Sequence, residues 1–277
     1  MTAGDRYEAW VDSDAYRRER VEKARVIHHL CGAEMRAADR VVDLGAGTGI
    51  IKNELEERTD KYIVGIEMDR SFVEEKKGMV AADATRLPLA DAAVDFALMN
   101  HLYEHVHDQT GLFHELERVL VPGGGAYVAA GNRLAVMEPH YRLPFLSWLP
   151  GRLADAYLRA SGRGESYDDI RFLTRGRLER RIRAAGLRVE DRTRRALDEL
   201  TAETWGPGWA RAWRVFSSLP GPVVETVLRH LSPQWFLVVR KPREPSPEDR
   251  PGRGGLLRTR RRGTGRSRGR RRGGGRR

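Results

Sequence analysis

The sequence predicts an α/β protein with a doubly wound sheet, and two observations lead to this prediction. First, short apolar runs suited to buried strands recur along the chain, at about 40–44, 62–66, 79–82, 94–99 and 125–130. Second, the intervals between these runs are long enough to hold helices, including one over 111–120. Strands that alternate with helices form a parallel sheet, and such a sheet binds its ligand beyond the carboxyl ends of the strands.

The chain of 277 residues suits one large α/β domain, which we place at 1–242. Within it, residues 1–36 are expected to form one or two helices ahead of the sheet, and 39–131 to form the ligand-binding core. Residues 132–172 are expected to form a lid. The rest of the sheet, with a helical insertion, is expected in 173–242.

A glycine-rich turn follows the first predicted strand, in the sequence RVVDLGAGTGIIKNEL at 40–55. Gly45, Gly47 and Gly49 stand at alternate positions where the strand gives way to a helix. Glycine lets a ligand approach the backbone closely, and the free N–H groups of a helix start favour a negatively charged group. The spacing differs from the dinucleotide fingerprint GxGxxG, whose third glycine comes one place later.

Polar residues stand at the ends of the next predicted strands. Glu67 comes 24 residues after Asp43 and ends the second apolar run. An acidic residue at that place can accept hydrogen bonds from both hydroxyl groups of a ribose. Asp83 and Ala84 follow the third run, and Asn100 follows the fourth. All of these positions are expected at one edge of the sheet.

These motifs resemble those of the class I S-adenosylmethionine (SAM) dependent methyltransferases, in particular the small-molecule (type 11) group. Asp-x-Gly-x-Gly-x-Gly resembles their motif I, LPLADAAVDFALMNHLYEHV resembles their strand-four motif, and LERVLVPGGGAYVAA resembles the helix and Pro-Gly-Gly turn before strand five. The resemblance is close over 39–131 and loose over 178–241. It implies a seven-stranded, Rossmann-like, mostly parallel sheet whose last strand, here 234–240, is antiparallel.

The resemblance also implies a cofactor and the residues that bind it. The cofactor is SAM, with Glu67 on the ribose and Asp83 facing the adenine amino group. The full set of expected cofactor-binding residues is Asp43, Gly45, Ala46, Gly47, Gly49, Glu67, Met68, Asp83, Ala84 and Asn100. In related proteins a segment such as 1–36 packs over this site, so Tyr7, Trp10 or Tyr16 could face the sulfonium, although packing is the favoured explanation for each ring.

The lid segment is rich in aromatic residues and is broken by Pro139, Pro144 and Pro150, which exclude one long helix. Three interpretations stay open, in order of preference: a lid over an apolar pocket, a shallow surface that contacts a membrane, and simple packing. Beyond it, 173–185 reads as an amphipathic helix with Thr174 as its N-cap.

Methyl transfer needs alignment of the two reactants, and a base when the acceptor is a hydroxyl group or a protonated amine. His101 and His105, after the fourth strand, are the first candidates for that base, and His140 with Tyr141 in the lid are the others. His101 and His105 are four residues apart, as zinc ligands on a helix can be, but no third ligand accompanies them. No metal site is expected.

Some acceptor classes are disfavoured. The segment 100–103 reads Asn-His-Leu-Tyr, without the two prolines of enzymes that methylate exocyclic amino groups of nucleobases, and Cys31 is the only cysteine available as a nucleophile. We therefore expect a small-molecule or lipid-like acceptor that is hydrophobic or amphipathic, methylated on oxygen, nitrogen or carbon. The alternative is a catalytically degenerate binding module of the same fold. An NAD-type oxidoreductase is disfavoured by the glycine spacing.

The net charge of +11 resides in the tail, because residues 243–277 contain 14 arginines and three acidic residues. This Arg/Gly-rich segment lacks the apolar residues needed to fold, so it is expected to be disordered and to contact nucleic acid or anionic membranes only weakly. A single cysteine, no apolar run near 20 residues and no leading signal peptide favour a cytoplasmic protein, with peripheral membrane contact left open. The oligomeric state is unknown from sequence.

Overall fold

The structure is a computed structural model that describes Val11 and residues 13–74, 76–203 and 206–243. Its strands are β1 (Val41–Leu44), β2 (Ile63–Glu67), β3 (Met79–Ala81), β4 (Val94–Asn100), β5 (Leu120–Gly131), β6 (Met137–Glu138), β7 (Leu143–Pro144), β8 (Arg188–Asp191) and β9 (Gln234–Arg240). Its helices are α1 (Asp14–Ala37), α2 (Ile50–Thr59), α3 (Gln109–Val119), α4 (Gly151–Ala160), α5 (Arg175–Ala184), α6 (Thr193–Glu203), α7 (Gly206–Ser217) and α8 (Gly221–Leu231). The predictions for Tyr7, Trp10 and the tail beyond residue 243 lie outside the described residues.

Seven of the strands form one sheet in the order β3-β2-β1-β4-β5-β9-β8. The pairs among β1 to β5 are parallel, while β9 runs antiparallel to both β5 and β8. The chain adds β2 and β3 on one side of β1 and then crosses to add β4 on the other. Such a reversal opens a crevice at the carboxyl ends of β1 and β4. The predicted fold class is confirmed.

Side chains of both sheet faces are buried, because helices cover each face. Along β4, Phe96 and Leu98 pack with α1 and α2, whereas Ala97 and Met99 pack with α3 and α5 on the opposite face. Successive residues of a strand point to opposite faces, so a strand covered on both sides is apolar throughout. This is why the parallel strands appear in the sequence as unbroken apolar runs.

Helix α1 begins where a side chain can cap it. The hydroxyl group of Ser13 accepts a hydrogen bond from the N–H of Tyr16 at 3.2 Å, which satisfies one of the free donors at a helix start. Tyr16 is buried, and the guanidinium of Arg20 lies 4.4 Å from the centre of its ring. The structure thus places one helix in the described part of the N-terminal segment.

One predicted boundary is wrong, and one predicted N-cap is in place without its hydrogen bond. Strand β5 begins at Leu120, so the predicted Pro-Gly-Gly turn lies within a strand, where the pairing with β4 shifts register between Val94 and Phe96. Gly123 has a φ of 86° there, which suits an irregular strand. Thr174 does precede α5, but its side chain makes no capping hydrogen bond.

The lid contains structure that the sequence did not predict. Strands β6 and β7 form a two-stranded hairpin that pairs Met137 with Pro144 and Glu138 with Leu143. Leu143 packs in a small cluster with Leu146, Ala154 and Leu158, which joins the hairpin to α4. Among the described helices, none combines the length and apolar character needed to cross a membrane.

Candidate active site

The three glycines of the β1–α2 turn all adopt positive φ angles, which are 71° at Gly45, 53° at Gly47 and 78° at Gly49. Residues with a side chain rarely adopt such angles. A Cβ atom at Gly45 would lie 2.8 Å from the side chain of Leu102, whereas one at Gly47 would have no atom within 4 Å. The turn is therefore packed against the β4 tip at Gly45 and open at Gly47, where a ligand has room.

Backbone hydrogen bonds join this turn to the end of β2. The N–H groups of Gly45 and Ala46 donate to the carbonyl of Ile66, at 2.8 and 3.1 Å. The N–H group of Gly47 donates to the carboxylate of Glu67 at 2.9 Å. The turn and the acidic residue, which the sequence places 20 residues apart, thus meet in one site.

The carboxylate of Glu67 is held in position by its own strand end as well. Its second oxygen accepts hydrogen bonds from the N–H groups of Met68, at 2.8 Å, and Asp69, at 3.1 Å. The Met68 side chain itself is exposed. Glu67 therefore stands beside the open part of the glycine turn, where an acid must lie to accept hydrogen bonds from a ribose.

Asp43 is the third residue of β1 and is only 2% exposed. Burial, together with the charge of Glu67, raises its pKa to about 7 against the opposing effect of the Lys52 ammonium. Lys52 is itself buried, with its Nζ 2.9 Å from a carboxylate oxygen of Glu56. Near neutral pH, Asp43 is divided between its charged and neutral forms, and a cationic or hydrogen-bond-donating ligand would favour the charged form.

The remaining expected cofactor-binding residues lie at the ends of β3 and β4. Asp83 is exposed, and its carboxylate accepts hydrogen bonds from the N–H and the hydroxyl of Thr85, both at 2.8 Å. Ala84 beside it is buried, and Asn100 is the last residue of β4. Because β3, β2, β1 and β4 are neighbours in that order, all ten residues come to one edge of the sheet. Their individual roles stay predictions.

A histidine–glutamate pair forms the tip of β4. His101, with a φ of 57°, brings its Nδ1 atom to 2.9 Å from Oε1 of Glu104. Glu104 is fully buried. Burial acts to raise the pKa of Glu104, but the hydrogen bond and the charge of His101 outweigh it and lower the pKa. In the described part of the chain, the Oε2 atom of Glu104 has no hydrogen-bond partner.

A second such pair lies in the lid, and the sequence did not reveal its acidic member. Glu138 of β6 is fully buried, and its Oε1 lies 2.8 Å from Nδ1 of His140. Its other oxygen accepts a hydrogen bond from the N–H of Tyr141 at 2.6 Å. The short spacing Glu-Pro-His was the only available signal. The pair fixes the imidazole of His140 and leaves Nε2 as its other polar atom.

The lid and the β4 tip meet through two histidine rings. The rings of His105 and His140 are nearly perpendicular, at 83°, with their centroids 5.2 Å apart. Burial lowers the pKa of His105, the charge of Glu104 opposes this, and the charges of His140 and His101 lower it further. The lowered pKa favours the neutral form of His105. The structure thus brings His101, His105 and His140 into one region.

Tyr141 takes a different position. Its ring contacts that of Tyr167, with centroids 5.9 Å apart, and packs on the small apolar cluster of the lid. Burial raises the pKa of Tyr141, and the charges of Asp169 and Glu138 add to this effect, so the phenol stays neutral. The structure gives Tyr141 a packing role, and its catalytic role stays a prediction.

Comparisons with known proteins agree with this fold. A family described as "Methyltransferase domain" matches residues 42–128, from β1 to β5. The 27-O-demethylrifamycin SV methyltransferase of Amycolatopsis mediterranei (strain S699) is 27% identical over 243 residues, which cover 83% of this chain and 79% of that protein. The demethylmenaquinone methyltransferase of Corynebacterium urealyticum is 28% identical over 162 residues, or 55% and 69% of the two chains.

A solved structure shares the fold. The SAM-dependent methyltransferase from Archaeoglobus fulgidus is 15% identical to this chain, covers 80% of it and 94% of its own length, and gives a TM-score of 0.50. A mostly parallel sheet of this topology, with a glycine turn and an acid at the ends of its first two strands, defines a nucleotide-type cofactor site.

The family match over residues 42–128 and the curated relatives identify a methyltransferase domain of the class I SAM-dependent type, whose cofactor is SAM. The predictions of family, enzyme class and cofactor are confirmed. The site fits that cofactor, because Gly47 faces open space and the carboxylate of Glu67 stands next to it.

Proposed function

We propose that the enzyme transfers a methyl group to a hydroxyl group of a small hydrophobic or amphipathic acceptor, bound between the β4 tip and the lid. The observation that supports this proposal most strongly is the contact of His140, paired with Glu138, against His105. A hydroxyl acceptor must lose its proton during transfer, and a histidine fixed by a carboxylate is suited to take it.

The cofactor would be held by the residues at the ends of the first four strands. Bound SAM supplies a methyl group on a positively charged sulfur, which makes that group electrophilic. The glycine turn would let the cofactor approach the backbone, Glu67 would accept hydrogen bonds from the ribose hydroxyls, and Asp83 would face the adenine amino group. Asp43, below the turn, would keep negative charge close to the bound cation.

Glu138 gives His140 the state that a base needs. A carboxylate that accepts a hydrogen bond from Nδ1–H leaves Nε2 without a proton, ready to accept one from the acceptor. After transfer of the proton, the same carboxylate stabilises the positively charged imidazolium. The neutral state of His105 also matters, because a second positive ring at this distance would repel the imidazolium.

The pair His101–Glu104 offers the same chemistry at the β4 tip. Glu104 is buried deeply enough to fix the ring, and its free Oε2 could also accept a hydrogen bond from an acceptor group. Variants of the two pairs distinguish these roles, because the base should control turnover while the other residue should affect acceptor binding.

Two further observations support a hydrophobic small-molecule acceptor. The lid contains a cluster of apolar and aromatic side chains, and two relatives are named for small-molecule acceptors. The test is methyl transfer from labelled SAM to a panel of hydrophobic alcohols, phenols and amines, with the methyl ethers of the hydroxyl compounds as matched controls. The proposal requires label on the hydroxyl compounds and none on the ethers. Labelling only of amines or of carbon would contradict it.

A further inference from the structure

Four exposed apolar side chains lie together on the outside of the lid. They are Val136, Met137, Phe145 and Trp148, each between 45% and 57% exposed, and we call them the lid patch. The N–H of Phe145 donates to the carbonyl of Val136 at 2.7 Å, and the rings of Phe145 and Trp148 meet with centroids 5.0 Å apart. Contiguous exposed apolar surface on a soluble enzyme often marks a site of interaction.

Strand pairing and a side-chain hydrogen bond hold residues of the lid patch in place. Met137 pairs with Pro144 in the β6–β7 hairpin, and the indole N–H of Trp148 donates to the carbonyl of Ala135 at 3.0 Å. Because the only polar atom of the indole already has a partner, the exposed part of the ring is hydrocarbon. Removing water from that surface would leave no hydrogen bond unmade.

The exposed charged residues of the segment 133–154, which carries the lid patch, are both arginines. Arg142 and Arg152 are exposed and lie three and four residues from the Phe145–Trp148 pair in the chain. The only acidic residue in 133–154 is Glu138, which is buried and paired with His140. The segment therefore exposes both apolar and cationic side chains. Such a surface complements a lipid bilayer, whose headgroups can be negatively charged and whose acyl chains are apolar.

We propose that the lid patch docks this enzyme onto the surface of an anionic phospholipid bilayer. Phe145 and Trp148 enter the boundary between headgroups and acyl chains, and Arg142 and Arg152 contact the lipid phosphates. Glu138 and His140 belong to the same hairpin as the lid patch, so docking would bring a membrane-dissolved acceptor close to the proposed base. That last step rests on the proposed function, whereas the docking itself does not.

The test is flotation of the full-length protein with vesicles, without acceptor. Vesicles of phosphatidylcholine with phosphatidylglycerol are compared with phosphatidylcholine alone, at about 0.15 M and about 1 M salt. The variant is Phe145→Ser/Trp148→Ser. The matched control is Val215→Ser/Leu231→Ser, which removes two exposed apolar side chains outside the lid. All three proteins keep residues 243–277, so any contribution of that basic segment is the same in each.

We expect the wild type and the control to float with anionic vesicles. The partition coefficient of the lid-patch variant onto these vesicles should be at least about tenfold lower. Part of the wild-type binding should survive at high salt, because burial of apolar surface is not screened. Equal flotation of the variant and the wild type would overturn the proposal, and so would a wild type that does not float.

Self-association of the wild type that the variant abolishes, without vesicle binding, would assign the lid patch to a second copy of the chain instead. Calorimetric titration with SAM accompanies each variant. Unchanged SAM affinity shows that the variant is folded, and keeps failure of docking distinct from failure of the proposed chemistry.

Discussion

His105 at the β4 tip and His140 in the lid meet edge to face, with ring centroids 5.2 Å apart. The two residues are 35 positions apart in the chain: His105 ends a short 3-10 helix that follows β4, and His140 lies in the turn of the hairpin that follows β5. Their contact is the place where the lid touches the cofactor-binding edge of the sheet. It therefore locates the acceptor site that we propose.

The first prediction concerns the residue that orients the proposed base. Glu138→Gln keeps the size of the buried side chain but removes the charge that stabilises protonated His140. We expect kcat to fall about tenfold to a hundredfold, with the Kd for SAM unchanged. Glu165→Gln, at an exposed position in the lid, is the control. A variant whose kcat equals that of the wild type would show that Glu138 has only a structural role.

The second prediction concerns the open part of the glycine turn. Gly47→Asp adds a side chain where φ is positive and puts a carboxylate beside that of Glu67. We expect SAM binding to weaken by about tenfold or more, because the new side chain fills the space through which the cofactor would approach the backbone. Calorimetric titration measures it. Gly176→Asp, in an open position in the first turn of α5, should bind as the wild type does. Equal binding by both variants would mean that the cofactor does not approach Gly47.

The third prediction follows from the raised pKa of Asp43. Its pKa is about 7 in the folded protein against 3.8 as the usual value, so the folded state binds the extra proton between these values. The contribution of Asp43 to the free energy of unfolding is therefore fully present below about pH 4 and is lost as the pH rises through 7. Asp43→Asn should remove that loss, about 4 kcal/mol of the difference in unfolding free energy between pH 4 and pH 8.

Urea unfolding of the cofactor-free wild type and of Asp43→Asn at several pH values measures this effect. The same variant should bind SAM more weakly, because it cannot supply negative charge beneath the turn. Parallel pH profiles for the two proteins would show that Asp43 ionises normally. Two opposite effects, on stability and on binding, would identify Asp43 as a residue kept for function.

The sequence predicted what depends on local pattern and missed what depends on tertiary contact. The glycine turn, Glu67 and the final strand at 234–240 were readable, because each is a short motif at the end of a buried apolar run. Glu138 was missed, since a carboxylate two residues before a histidine has no pattern of its own. Its role appears only when β6 pairs with β7 and buries it.

The start of β5 illustrates the same limit. Pro122 and the glycines after it normally end a strand, yet pairing with β4 carries the strand through them by a shift in register. Lys52 is a further example, because nothing in the sequence separates a buried lysine paired with Glu56 from an exposed one. The resemblance to a family supplied what composition and periodicity could not.

The fourth prediction tests the domain boundary. Removing residues 243–277 should leave the affinity for SAM unchanged, because the expected cofactor-binding residues all lie between Asp43 and Asn100. The same truncation should lower the binding of the protein to nucleic acid at low salt, since it removes 14 arginines. A large loss of SAM affinity on truncation would place the tail within the methyltransferase domain.

The most direct test of the account is the rate of methyl transfer from labelled SAM to a hydroxylated hydrophobic acceptor, in the wild type, in His140→Ala and in His107→Ala. His107 is exposed and serves as the control. We predict that His140→Ala lowers kcat by about a hundredfold or more, that SAM binding is unchanged, and that His107→Ala turns over as the wild type does. Full turnover in His140→Ala would contradict the proposed base and move the role to His101 and Glu104.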